Sequence, residues 1–149
     1  MTSTTHPSRI HPHTTVRADR DSGTASQRLR AVLLANALTS GVVGAIATLS
    51  PGAVDELLGT GHEGWIRLFG GVGFLVFAVA VCTLASGRPS TRARYAPLVR
   101  LFDASYVIAV IVTIAAGWYS TTGSWVMGAT AALVADFALG QLWFARRSR

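Results

Sequence analysis

The chain has 149 residues, half of them hydrophobic and only 13% charged. A soluble domain of this length carries about 25% charged residues, so the composition argues against an ordinary water-soluble fold and for a lipid environment. The net charge of +6 comes with thirteen basic residues, all Arg, but their positions argue against nucleic-acid binding as the use of that charge.

Residues 1–28, MTSTTHPSRIHPHTTVRADRDSGTASQR, are rich in Thr, Ser, Pro, His and Arg. Their few apolar side chains follow no period, too little to offset the chain entropy of folding, so this segment is expected to be a disordered tail. Four apolar runs follow, 29–49, 65–85, 98–118 and 124–144. Each is about 21 residues, or about 31 Å as helix, against a hydrocarbon core of about 30 Å. Hydrocarbon offers the backbone no partner, and a helix satisfies its own amides, so the runs are read as spans of a 29–145 membrane domain.

The connections are short. In residues 50–64, Ser50 and Pro51 open a brief interfacial helix with Val54, Leu57 and Leu58 on one face, ending at Gly59. Residues 86–97 and 119–123 are read as loops. Short loops join antiparallel neighbours, so the expected fold class is all-α: a four-helix transmembrane bundle, up-down-up-down. Residues 146–149 form a basic C-terminus.

Orientation follows from Arg. Arg9, Arg17, Arg20, Arg28 and Arg30 precede the first run, Arg88, Arg92, Arg94 and Arg100 lie between the second and third, and Arg146, Arg147 and Arg149 follow the fourth. All fall on one side of a four-span topology, and Arg67 alone falls on the other. The positive-inside rule makes the Arg-rich side cytoplasmic, with both termini there and the plasma membrane as location. Trp65, Trp118, Tyr119 and Trp125 then mark the outer boundary, and Tyr95 and Trp143 the inner one. The expected partners are the bilayer itself, with anionic lipid at the cytoplasmic face, and either a second copy or another membrane protein; nucleic acid is not among them.

Polar residues inside the spans are the sharpest lead to function, because hydrocarbon makes them costly. Asn36, Asp103 and Asp136 lie at similar depths, about 10, 8 and 12 Å from the Arg-rich ends of their runs. Asn36 shares a face with Ser40, Gly44 and Ala47. Arg100 and Asp103 are three apart and suited to pair, with Tyr106 continuing that face. Asp136 shares a face with Gly128, Ala129, Ala132 and Gly140. The expected intramembrane cluster is Asn36, Ser40, Arg100, Asp103, Tyr106 and Asp136, either a proton, cation or ligand site or a set of bonds joining helices. Gln141, five residues from Asp136, points away from it and is left out. Arg67 with Glu63 four residues before it is the outer-face candidate. Gly70, Gly71 and Gly73 are read as a helix-packing surface, not a phosphate loop. Cys82 is expected to be a buried thiol. No nucleophile elbow or zinc spacing is present, so no catalytic residue, metal or cofactor is implied.

The pattern Arg67-Leu68-Phe69-Gly70-Gly71 leading into an apolar helix, the Asn36-x3-Ser40-Gly41 opening of the first run, and Asp103 early in the third together resemble small bacterial four-helix membrane proteins of the DoxX-like kind. The resemblance spans residues 29–145. It implies a place in quinone or thiol oxidoreductase systems for some relatives, although this chain lacks the cysteine pair a thiol role needs. The small multidrug exporters are similar in size but use a glutamate deep in the first helix, where this chain has Asn36. The leading expectation is a non-enzymatic accessory or scaffold protein. The alternative is a small transporter or ligand-binding protein using Asp103, Asp136 and Asn36.

Overall fold

Long apolar runs in lipid close their backbone hydrogen bonds within themselves, and the computed structural model, which describes residues 13–147, is built from helices accordingly. In chain order these are α1 (His13–Leu49), α2 (Pro51–Leu58), α3 (Glu63–Trp65), a π-helical stretch (Ile66–Gly73), α4 (Phe74–Ser86), α5 (Pro89–Ala115) and α6 (Thr121–Arg147). From α3 through the π stretch to α4 the chain is one continuous span. Four segments, Ser26–Leu49, Glu63–Ser86, Pro89–Ala115 and Thr121–Phe144, are long and apolar enough to cross a membrane. The protein is a multi-pass membrane protein with an all-α four-helix bundle.

Element boundaries differ from the sequence reading where the helices leave the apolar runs. α1 begins at His13, so residues 13–28 of the expected disordered tail are helical, while residues 1–12 lie outside the described residues. A helix already nucleated by its apolar run extends at little cost, one bond per residue fixed. α5 begins at Pro89 and takes in most of the segment 86–97 expected to be a loop. Proline at the first helical turn has its φ preset and gives up a bond the helix would not have made. α2 follows expectation: Pro51 opens it, and Gly59 closes it with φ 69° and its N–H bonded to the Asp55 carbonyl.

The spans are tied to one another at the two ends of the bundle. Arg92, on the first turn of α5, is 8% exposed. Its Nη1 donates to the Ala85 carbonyl at 3.1 Å and its Nη2 to Ser26 Oγ at 3.4 Å. One guanidinium thus satisfies a carbonyl left open at the end of α4 and reaches α1. At the opposite end Ser120 N–H donates to the Leu58 carbonyl at 2.8 Å. These contacts fix the up-down-up-down course of the spans.

Within the bundle α1 is central, packed on one side against the π stretch and α4 and on the other against α6, while α5 leans on α6. Between α4 and α5 contact is sparse, which leaves a seam. The core towards the Arg-rich end is Leu29, Leu33, Ala37, Val81, Ala85 and Val99. Towards the other end side chains give way to backbone contact. A Cβ on Gly44 would meet the Leu75 nitrogen at 2.9 Å and the Gly71 oxygen at 3.0 Å, and one on Gly71 would overlap Thr48. Lipid supplies no hydrophobic drive between helices, so such close approach is what holds them. Leu38, Val76, Val79, Ile108 and Ile111 face outward, as lipid-facing side chains do. Cys82 is also exposed, not buried as expected: it stands on the outer side of α4, one residue after the buried Val81.

Candidate functional site

Asp103 is the centre of the intramembrane polar layer. It lies on the buried stripe of α5 with Arg92, Ala96, Val99 and Val110, and is 3% exposed. Asn36 of α1 aims its amide at the carboxylate, Nδ2 lying 3.2 Å from Oδ1 and 3.1 Å from Oδ2. Gln141 of α6 donates from Nε2 to Oδ2 at 3.0 Å. Ser40, one turn above Asn36, donates to Asn36 Oδ1 at 3.4 Å. Three of the four spans therefore meet on one carboxylate through neutral amides. No cation completes it: the Arg67–Glu63 pair is the ion pair found among the described residues.

Two expectations fail here. Arg100 does not pair with Asp103; its Nε is buried without a hydrogen-bond partner. Spacing of three residues makes two side chains neighbours on a helix, but Asp103 turns into the bundle and Arg100 sits at its edge. Asp136 does not join the layer either. It is exposed on the outer side of α6, so it makes no bond with the other residues of the expected cluster. Gln141, left out by the sequence reading, takes the place assigned to Asp136 and is fully buried. Gln141 shares its buried face with Ala131 and Val134, at positions that follow the helical repeat.

Beside the carboxylate lies a cavity of about 170 Å³, lined by Asn36, Ser40 and Asp103 on the polar side and by Phe69, Gly73, Phe74, Phe77, Phe102, Tyr106 and Val134 elsewhere. It occupies the seam between the second and third spans. Phe74 meets Tyr106 edge-on with centroids 5.4 Å apart, and Phe77 meets Phe102 at 6.2 Å. These aromatic pairs bridge α4 and α5 where little else does. Phe69 and Gly73 come from the π stretch, whose wider turn is a recurrent feature of functional sites.

No family model matches this chain. Neither the curated proteins nor the solved structures give a match.

Three of Asp103's roughly four lone-pair sites are occupied by the amides, which leaves one open on Oδ1. A carboxyl group with an open acceptor, faced by aromatic rings, is suited to a cation: in its ionised form it attracts the charge, and the ring faces add to it. The volume is about that of a cavity that takes benzene.

On the other side of the molecule Arg67 Nη2 and Glu63 Oε1 are 3.3 Å apart, with both side chains more than half exposed. Exposed pairs of this kind contribute little to stability. Nearby, Thr60 Oγ1 donates to Asp55 Oδ1, and His62 N–H donates to the same oxygen at 3.1 Å. The Thr60 hydroxyl, with the backbone amides of His62 and Gly61, holds the Asp55 carboxyl below the usual carboxylate range against the opposing effect of desolvation. His62 is thus part of a loop-closing knot. Among the described residues no group of three or more His, Cys, Asp or Glu is placed to hold a metal.

Proposed function

We propose that this protein is a membrane-embedded binding protein for a small organic cation, an amine with an apolar body, held with its charge on Asp103 and its body among the aromatic rings. The observation that carries this reading is a buried carboxylate with an open acceptor position, no cationic partner among the described residues, and an aromatic cavity against it. The thin α4–α5 seam supports entry sideways, from the bilayer.

The Arg distribution supports a cytoplasmic Arg-rich end, in a plasma membrane. A helix-joining role for Asp103 accompanies binding, because its bonds tie α1, α5 and α6 whatever the cavity holds.

The test is calorimetric titration of the protein in nanodiscs with benzylamine, protonated at neutral pH, and with benzyl alcohol, a neutral probe of similar shape. Benzylamine should bind at least about tenfold more tightly, and Asp103→Asn, which keeps the side chain's shape, should abolish that preference. Equal binding of the two probes, or binding of neither, would remove the cation reading and return the cluster to a scaffold role.

A further inference from the structure

The cavity beside Asp103 is buried at its floor and open at its rim. Asn36, Ser40, Asp103 and Val134 are each less than a tenth exposed. Phe69 and Phe102, which also line it, are each more than half exposed, and Gly73 is exposed as well. At 1.5 Å per residue Phe69 and Phe102 lie about 6 Å inside the apolar runs 65–85 and 98–118, and Gly73 about 12 Å. The rim therefore opens on acyl chains and not on water.

The cavity is also elongated. Its lining from the second span runs from Phe69 to Phe77, about 12 Å along the helix, while the third span contributes only Phe102, Asp103 and Tyr106. It is a groove that follows the seam, parallel to the lipid chains beside it. Asp103 lies towards its Arg-rich end, next in sequence to Phe102, which meets Phe77 there. Gly73 keeps the groove wide. A Cβ at that position would meet only the Leu68 carbonyl oxygen, at 3.7 Å, which is ordinary contact, so the helix accepts a side chain there and the groove would be what it narrows.

We propose that the ligand of this site is a single-chain alkylamine that reaches it from the bilayer, its nitrogen at Asp103 and its chain along the groove and out into lipid. The inference rests on the amine reading of Asp103 given above and names the class of amine. A phospholipid chain would fill the groove but leave the carboxyl group with an unused position in hydrocarbon. An amine meets that group in either protonation state. If Asp103 is ionised, an ammonium N–H donates to its open oxygen. If Asp103 carries the proton, its O–H passes that proton to the neutral amine nitrogen and the same ion pair results, with no net change in charge. The open rim removes any limit on chain length, because carbons beyond it stay in lipid, where they were before binding.

Native mass spectrometry of protein in nanodiscs doped at low mole fraction with dodecylamine, butylamine or dodecanol tests this, each signal scaled to the probe's measured concentration in the bilayer so that partition cancels. Dodecylamine should be retained at least about tenfold above dodecanol, and no less than butylamine. Gly73→Leu should weaken dodecylamine binding about tenfold or more, and Val76→Leu, on the outward face of the same span, should not. Gly73→Ala gives a smaller loss in the same direction, should the Leu variant fail to accumulate. Dodecylamine carrying a diazirine at mid-chain should label residues within 69–77 or 102–106 on photolysis. Butylamine bound in preference to alcohols with dodecylamine excluded would overturn the chain proposal and leave the amine reading standing. No preference for amine over alcohol at either length would overturn both. Dodecylamine binding undiminished by both Gly73 variants, or labelling elsewhere on the bundle, would overturn the chain proposal alone.

Discussion

Gln141 and Asp103 stand 38 residues apart in the chain and meet at 3.0 Å in the middle of the bundle. That bond joins α6 to α5 on the side of the carboxylate where Asn36 also donates. Gln141→Leu keeps the volume and removes the donor, leaving Asp103 with Asn36 alone. Hydrogen bonds between spans are worth about 0.6–2 kcal/mol, and the loss here belongs in the upper part of that range because it leaves a buried acceptor one partner short. Denaturant titration in bicelles should show a shift of that size. An unchanged midpoint would mean that the bond does not bear on the fold.

Asn36 allows a sharper test. Its Nδ2 lies close to both carboxylate oxygens, and Asn36→Asp replaces that donor with a second acceptor of like charge at the same place. Two carboxylates this close repel in a low-dielectric interior. The variant should lose more stability than Asn36→Leu, which only removes the bond. Thermal melts of the two proteins in the same detergent give the comparison, and a more stable Asp variant would contradict the donor role of Asn36.

The four spans were legible because their signal is redundant: length, apolarity, Arg asymmetry and boundary aromatics all answer to the thickness of a bilayer. The polar layer was legible only in part. Asn36, Ser40 and Asp103 were placed together by depth and by the small faces they share. Asp136 was added because it is at the same depth, yet depth says nothing about which way a helix turns. Both faces of α6 carry small residues, Gly128, Ala129, Ala132 and Gly140 on one and Ala131 and Ala138 on the other, so small residues alone could not choose between them. The π stretch had no readable cue beyond its glycines, because a widened turn depends on what packs against it.

Gly71 predicts a steric effect with its own control. A methyl group there would overlap Thr48, and Thr48 is itself tied to the Gly44 carbonyl by its hydroxyl at 2.7 Å, so neither helix can give way freely. Gly71→Ala should cost about 1–3 kcal/mol, the usual penalty of overpacking. Gly128→Ala adds the same methyl where nothing lies within 4 Å and should not destabilise a single chain, its helix gaining the propensity of Ala over Gly. Steric-trapping measurements separate the two. Equal effects would mean that the α1–π contact is looser than its distances imply.

The loop after α2 carries the clearest dependence on pH. The carboxyl of Asp55 is held low in the folded protein, chiefly by the Thr60 hydroxyl. Unfolded, it would titrate near about 3.9. A group whose folded value is depressed contributes stability fully above its unfolded value, and that contribution is lost as pH falls through the folded value. The loop should therefore hold its order at neutral pH and loosen under acid conditions, below about pH 4. Thr60→Val removes the main cause. In that variant the Asp55 carboxyl should titrate higher than in the wild type, towards the ordinary value, and the His62 amide, which donates to the same carboxylate at 3.1 Å, should exchange faster with solvent. An NMR titration following the His62 amide reads both effects in one experiment; an unmoved titration in Thr60→Val would show that the backbone amides alone set the charge of Asp55.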